Sequence, residues 1–151
     1  MKNSPLNKRV GAMLVATGIL SRVTALQMFA EQQFEISPEQ YLVLAIIMDT
    51  GELYQRQISE ITYKDRPNVS RILNILEKLK LVHRVEDVNK RKIYKIKITE
   101  KGIEVRKKIQ PYMQQLRDIT TRNISEDDLT TCLEVLSQMQ DNLKEIAKLQ
   151  I

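Results

Sequence analysis

A mainly α-helical fold carrying one small β-hairpin is what this sequence predicts, and three observations lead there. Apolar residues recur at steps of three and four along most of the chain. Gly and Pro number four each, and strand signals are scarce. After Leu81 the period changes to two, over "VHRV" at 82–85 and "IYKIKI" at 93–98. At 151 residues the chain is a single domain by length, large enough to bury a core without staples.

The first helix is expected from about Leu6 to Phe34. Lys8 and Arg9 before "VGAMLVATGIL", with "VTA" at 23–25, imitate a secretory signal. That apolar run is too short to span a bilayer, and a helical pattern continues through Val23, Leu26, Ala30 and Phe34. A long, mostly buried helix is therefore expected. In "ISPEQ" Ser37 can cap and Pro38 suits a first helical position, so "YLVLAIIMD" follows as a short buried helix ended by Gly51. "YQRQISEIT" reads as another short helix.

The next helix opens at Asp65 or Arg66, either of which could cap it, with Pro67 in the first turn. Its apolar stripe is Val69, Ile72, Leu73, Leu76 and Leu79. The stripe should pack on Ile58, Ile61 and the 41–48 helix. The opposite face holds Arg66, Asn68, Ser70, Arg71, Asn74 and Lys78, mostly flexible donors with almost no acid. In the hairpin, Tyr94, Ile96 and Ile98 should face in, with Lys95 and Lys97 facing out. "EDVNKRK" between the strands is a polar loop. Thr99 should cap a helix that runs through a kink at Pro111. Ser125 and Asp128 suit a capping box for the last helix. There Leu129, Cys132, Leu136, Met139, Leu143 and Ile146 form a 3.5-residue seam.

Charge is segregated. Residues 64–108 carry 15 Lys/Arg against 6 Asp/Glu, net +9, whereas the remainder is net −4. A basic centre between near-neutral or acidic ends is an electrostatic footprint whose commonest partner is a polyanion. Short helix, tight turn, amphipathic helix and a hairpin with a basic tip make up a winged helix-turn-helix. Its donor-rich helix has the width to enter a major groove, where Arg can bond guanine twice, Asn can bond adenine twice, and Ser adapts.

From about Ile36 to Lys108 the chain resembles the MarR (multiple antibiotic resistance regulator) family of transcription factors. The resemblance rests on "SPEQYLVL", "QISEITYKDRPNVSRILNILEKLKLVHR" and "KITEKG" at 97–102. It implies a cytoplasmic homodimer that binds a pseudo-palindromic operator in double-stranded DNA, and a repressor released by a small molecule, often phenolic or anionic. It divides the single domain 1–151 into a DNA-binding part, 37–110, and dimerisation helices, 6–34 and 112–149. Candidate DNA-binding residues are Arg66, Pro67, Asn68, Ser70, Arg71, Asn74, Lys90, Arg91 and Lys92. Candidate dimer-interface residues are Leu129, Leu136, Met139, Leu143 and Ile146. No effector-binding residue is marked. The chain departs from the family at the wing, where Asp-x-Arg is common. Lys90 and Lys92, or Asn89 and Arg91 in a register shifted by one, stand at those positions, so phosphate contact is expected more than groove reading.

Other chemistries are poorly served. A single histidine and a single cysteine make a four-ligand metal site improbable, and one cysteine fits a reducing cytoplasm without a disulfide framework. Cys132 falls on the seam, where a small buried hydrophobe is the plain reading against a redox sensor. His83, between strand residues, reads as structural. No triad, glycine-rich phosphate loop or paired carboxylates suggest an enzyme, and no cofactor is implied. The competing class is a winged-helix dimer serving only as a protein–protein interaction module, which would not need Asn68, Ser70 and Arg71 beside a basic wing.

Overall fold

The computed structural model describes residues 5–89 and 93–147. Lys90, Arg91 and Lys92 lie outside the described residues. In chain order the elements are α1 (Pro5–Glu31), α2 (Pro38–Thr50), β1 (Leu53–Tyr54), α3 (Gln55–Thr62), α4 (Arg66–Lys78), β2 (Val82–Glu86), β3 (Tyr94–Ile98), α5 (Glu100–Thr120) and α6 (Glu126–Lys144). This is the winged-helix architecture expected, with six helices and a small antiparallel sheet among the described residues.

Local chemistry sets most boundaries. Ser37 and Gln40 form a reciprocal capping box, Ser37 Oγ accepting the Gln40 N–H and Gln40 Oε1 accepting the Ser37 N–H. Of the two candidates at α4, Asp65 is the cap, its Oδ1 accepting the Asn68 N–H at 2.8 Å. Helix α1 stops three residues before the expected Phe34. Gln33 turns left-handed (φ 53°), and the Gln33 and Phe34 N–H groups bond back to Ala30 and Phe29. Helix α4 ends by the same pair of bonds, from Lys80 (φ 61°) to Glu77 and from Leu81 to Leu76. Helix α5 continues through Pro111 as one element.

The core sits where α2, α3, α4 and the sheet meet. Val43, Leu44 and Ile47 of α2 pack with Ile58 of α3 and with Val69, Ile72, Leu73 and Leu76 of α4. Ile61 does not join them. It is 47% exposed, because the short α3 buries only its Ile58–Ser59 side. The sheet order is β1-β3-β2, with Leu53 opposite Ile96 and Val82 opposite Ile98. Strand β1 was not expected, being only two residues long. Ile96 is buried as expected, but Tyr94 is 48% exposed, since β3 has passed the edge of the core by that point.

Helix α1 departs most from expectation. Only Ala25 and Phe29 are buried, so within one chain it is largely uncovered. Its carboxyl end is built into the core through Phe29, whose ring stands edge-on to Phe34 and Tyr41. The helix is also longer than its most apolar run, and by length and composition it could cross a membrane. Helix α6 contributes no buried residue. Among the described residues no layer covers the exposed apolar residues of these two helices, which is why burial fails there.

Candidate nucleic-acid interface

Packing decides which side of α4 faces out. With Val69, Ile72, Leu73 and Leu76 buried, Arg66, Pro67, Arg71 and Asn74 are exposed, and Asn68 and Ser70 half-exposed, along the opposite side. Asp65 caps the helix, so Arg66, Pro67 and Asn68 form its first turn.

These side chains form a bonded layer. Arg71 donates from Nη2 to Asn68 Oδ1 at 2.9 Å. Gln55, at the start of α3, donates from Nε2 to Ser70 Oγ at 2.6 Å and to the Arg66 carbonyl at 3.3 Å. Arg84, on β2, donates from Nη2 to Asn74 Oδ1 at 3.0 Å and pairs with Glu77. The face thus draws on α3, α4 and β2 together. Gln55 and Arg84 were not among the expected residues. Arg84 carried a usable signal, a guanidinium on the strand directly after the helix, whereas nothing in the sequence set Gln55 apart.

A cleft of about 550 Å³ opens beside this layer, rimmed by Arg56, Arg66 and Arg84 and floored by Tyr54 and Ile96. The base of the wing is anchored here. Tyr54 donates its hydroxyl to Asp87, and that bond is the main reason the phenol is held above its ordinary pKa. Asp87 is buried and also accepts the Asn89 N–H at 2.9 Å, while its own N–H bonds to the Ile93 carbonyl at 2.8 Å. Lys95 lies 5.6 Å from the Tyr54 ring centre. His83 is exposed on β2.

Of the residues expected at a dimer interface, Leu129, Leu136, Met139 and Leu143 lie on α6 and Ile146 lies just past its end. Leu129, Leu136 and Met139 are half-buried, whereas Leu143 and Ile146 are 59% and 75% exposed. Cys132 is exposed, not buried as expected, because nothing among the described residues covers α6 fully. Leu136, Met139 and Cys132 line a groove of about 680 Å³ shared with Leu6, Val10 and Met13 of α1. Leu143 lines a different one, of about 640 Å³, with Ile61 and Tyr63. The expected seam is therefore split between two surroundings.

Comparison with known proteins supports this architecture. Residues 34–93 match the MarR family model. The transcriptional regulator SlyA superposes with a TM-score of 0.75 at 25% sequence identity, over 94% of this chain and 96% of that one. MepR of S. aureus, solved as a DNA complex, gives 0.78 at 22% identity, over 87% and 94%. BpsR of Bordetella bronchiseptica, whose DNA binding is regulated by 6-hydroxynicotinic acid, gives 0.81 at 18% identity, over 92% and 98%. No curated protein sequence matches the chain.

Proposed function

We propose, from the match of residues 34–93 to the MarR family model, that the protein is a cytoplasmic, homodimeric repressor of transcription that binds a pseudo-palindromic operator. Residues 37–110 form its DNA-binding part, and 6–34 with 112–149 its dimerisation helices. The observation that carries the reading is the outward row of Arg66, Asn68, Ser70, Arg71 and Asn74 on a helix whose other side is locked in the core. Such a helix offers base-edge donors at the width of a major groove.

Arg71, Asn68, Ser70 and Asn74 read bases, Arg66 and Pro67 open the helix toward the backbone, and Lys90, Arg91 and Lys92 neutralise phosphates. Two such helices must be held about 34 Å apart to meet successive grooves. Leu129, Leu136, Met139, Leu143 and Ile146 supply the surface that holds them, which accounts for the uncovered faces of α1 and α6. The test is gel retardation of the full chain on random and selected duplexes with competitor DNA. Salt-dependent, sequence-selective binding is expected, and absence of binding at low salt would favour a protein–protein module instead.

A small phenolic or anionic effector completes the reading. It must bind the spacing of the reading heads that cannot engage DNA better than the one that can, since equal affinity shifts nothing. A coupling of about 1–3 kcal/mol would weaken operator binding roughly 5- to 150-fold. Aromatic acids and phenols that raise the melting temperature should also release operator. Stabilisation without release by every such compound would remove ligand control from the proposal.

A further inference from the structure

We infer that the α4 face presents donors only and is therefore built to read guanine, including at its two asparagines, which by residue type alone would suit adenine. This rests on the DNA-binding reading above and specifies what that site recognises.

Asn68, Ser70 and Asn74 are the residues of α4 that set a side-chain oxygen on this face, and each oxygen is engaged from within the protein. Asn68 Oδ1 takes the Arg71 guanidinium at 2.9 Å, Asn74 Oδ1 takes the Arg84 guanidinium at 3.0 Å, and Ser70 Oγ takes the Gln55 amide at 2.6 Å. The neighbouring acids are engaged as well, Glu77 by Arg84 and Asp65 by the Asn68 N–H. What remains to point outward is the amide NH₂ of each asparagine, the Ser70 hydroxyl proton and the remaining N–H groups of Arg66 and Arg71.

An adenine contact through asparagine needs the side-chain oxygen to accept from N6 while the amide donates to N7. Here each oxygen has already given a lone pair to a guanidinium. The positive charge that comes with it opposes the approach of a further N–H donor and favours an acceptor. Guanine shows two acceptors, N7 and O6, on its major-groove edge, and cytosine shows an amino donor. A donor-only face therefore favours guanine, tolerates the thymine O4 and disfavours cytosine.

Arg84 is then a positioning residue. It fixes the Asn74 amide from β2, ten positions along the chain, and its effect should appear as a change in base preference at a single pair.

The experiment is selection of bound sequences from a random duplex library with the full chain, followed by affinity measurements. Guanines should be enriched at the positions α4 covers, and replacing one with 7-deazaguanine, which lacks the N7 acceptor, should weaken binding roughly fivefold or more. Arg84→Leu should shift one position of each half-site toward adenine and leave the other preferences as they were, and Arg84→Lys should restore guanine there. A residue of merely structural importance would lower affinity evenly across sequences. Selective binding to sites with adenine or cytosine at these positions would overturn the donor-only face while leaving the DNA-binding reading in place. Failure to select any sequence would overturn both. Thermal melting of each variant confirms that it is folded.

Discussion

Thr99 reaches across to the end of α4 and donates its hydroxyl to the Lys80 carbonyl at 2.7 Å. The same oxygen accepts the Gly102 N–H at 3.0 Å, capping α5. The Thr99 N–H bonds the Leu81 carbonyl at 3.0 Å, and Lys101 Nζ bonds the Leu79 carbonyl at 3.0 Å. Three successive carbonyls at the end of one helix are thus held by the first residues around another. Thr99→Val keeps the shape and removes both hydroxyl bonds, so it should cost about 1–2 kcal/mol, read from urea unfolding.

Gly102 is where α5 presses on that turn. A Cβ there would meet the Leu81 carbonyl oxygen at 2.2 Å and Ile98 Cγ1 at 2.7 Å. The nearer obstacle is backbone, so no rotamer relieves it. Gly102→Ala should destabilise the fold by about 1–3 kcal/mol despite its better helix propensity. Unchanged stability would mean that the α4–α5 junction yields more easily than its bonds imply.

Leu136→Lys places a charge in the groove between α1 and α6. Monomers or insoluble chains should result, as judged by light scattering at several concentrations. Leu143→Lys is the informative companion, since Leu143 lies in the other groove, beside Tyr63. A tight dimer from Leu136→Lys would displace the proposed interface from α6.

Reading and holding separate by salt. Arg71→Ala should cost about 1–3 kcal/mol on operator and relax the preference at particular base pairs, with less effect on random DNA. Lys90→Ala or Lys92→Ala should weaken operator and random duplex alike, each reducing the salt slope by about 1. Affinity against salt for each variant on both duplexes is the measurement. Loss of selectivity in the wing variants with its retention in Arg71→Ala would reverse the assignment.

Burial pushes the Tyr41 phenol above 10.0, with Arg106 and Arg117 pulling the other way. The unfolded chain then ionises first, so the stabilising contribution is complete below that value and is lost as pH rises through the higher folded one. Tyr41→Phe should lose less stability than the wild type as pH rises above about 10, measured by urea unfolding at each pH. Parallel curves would remove Tyr41 from the alkaline transition.

The helices were legible because one-sided burial writes a period into the chain. Val69, Ile72, Leu73 and Leu76 could be assigned to the core from spacing alone, Ser37 and Thr99 cap as their positions suggested, and Asp65 is the cap where Asp65 and Arg66 had both fitted. Two residues at Leu53–Tyr54 cannot show a period, so β1 was invisible until β3 lay beside it. The outward face of α4 was legible as residue types but not as a bonded layer. The contact of Arg84 with Asn74 exists only because β2 folds back against α4, and that return is a tertiary fact.

Helix α6 without a buried residue, and α1 with two, have a thermodynamic consequence for the proposed dimer. In such a dimer mass action enters the folding equilibrium, because each chain would complete its apolar packing on the other. Each tenfold dilution removes about 1.4 kcal/mol from association, so the melting temperature should fall as the protein is diluted. Abundance thereby becomes a determinant of structural integrity. A cell that makes less of this protein would lose operator occupancy and dimer stability together, so occupancy would fall more steeply with abundance than one-to-one binding predicts.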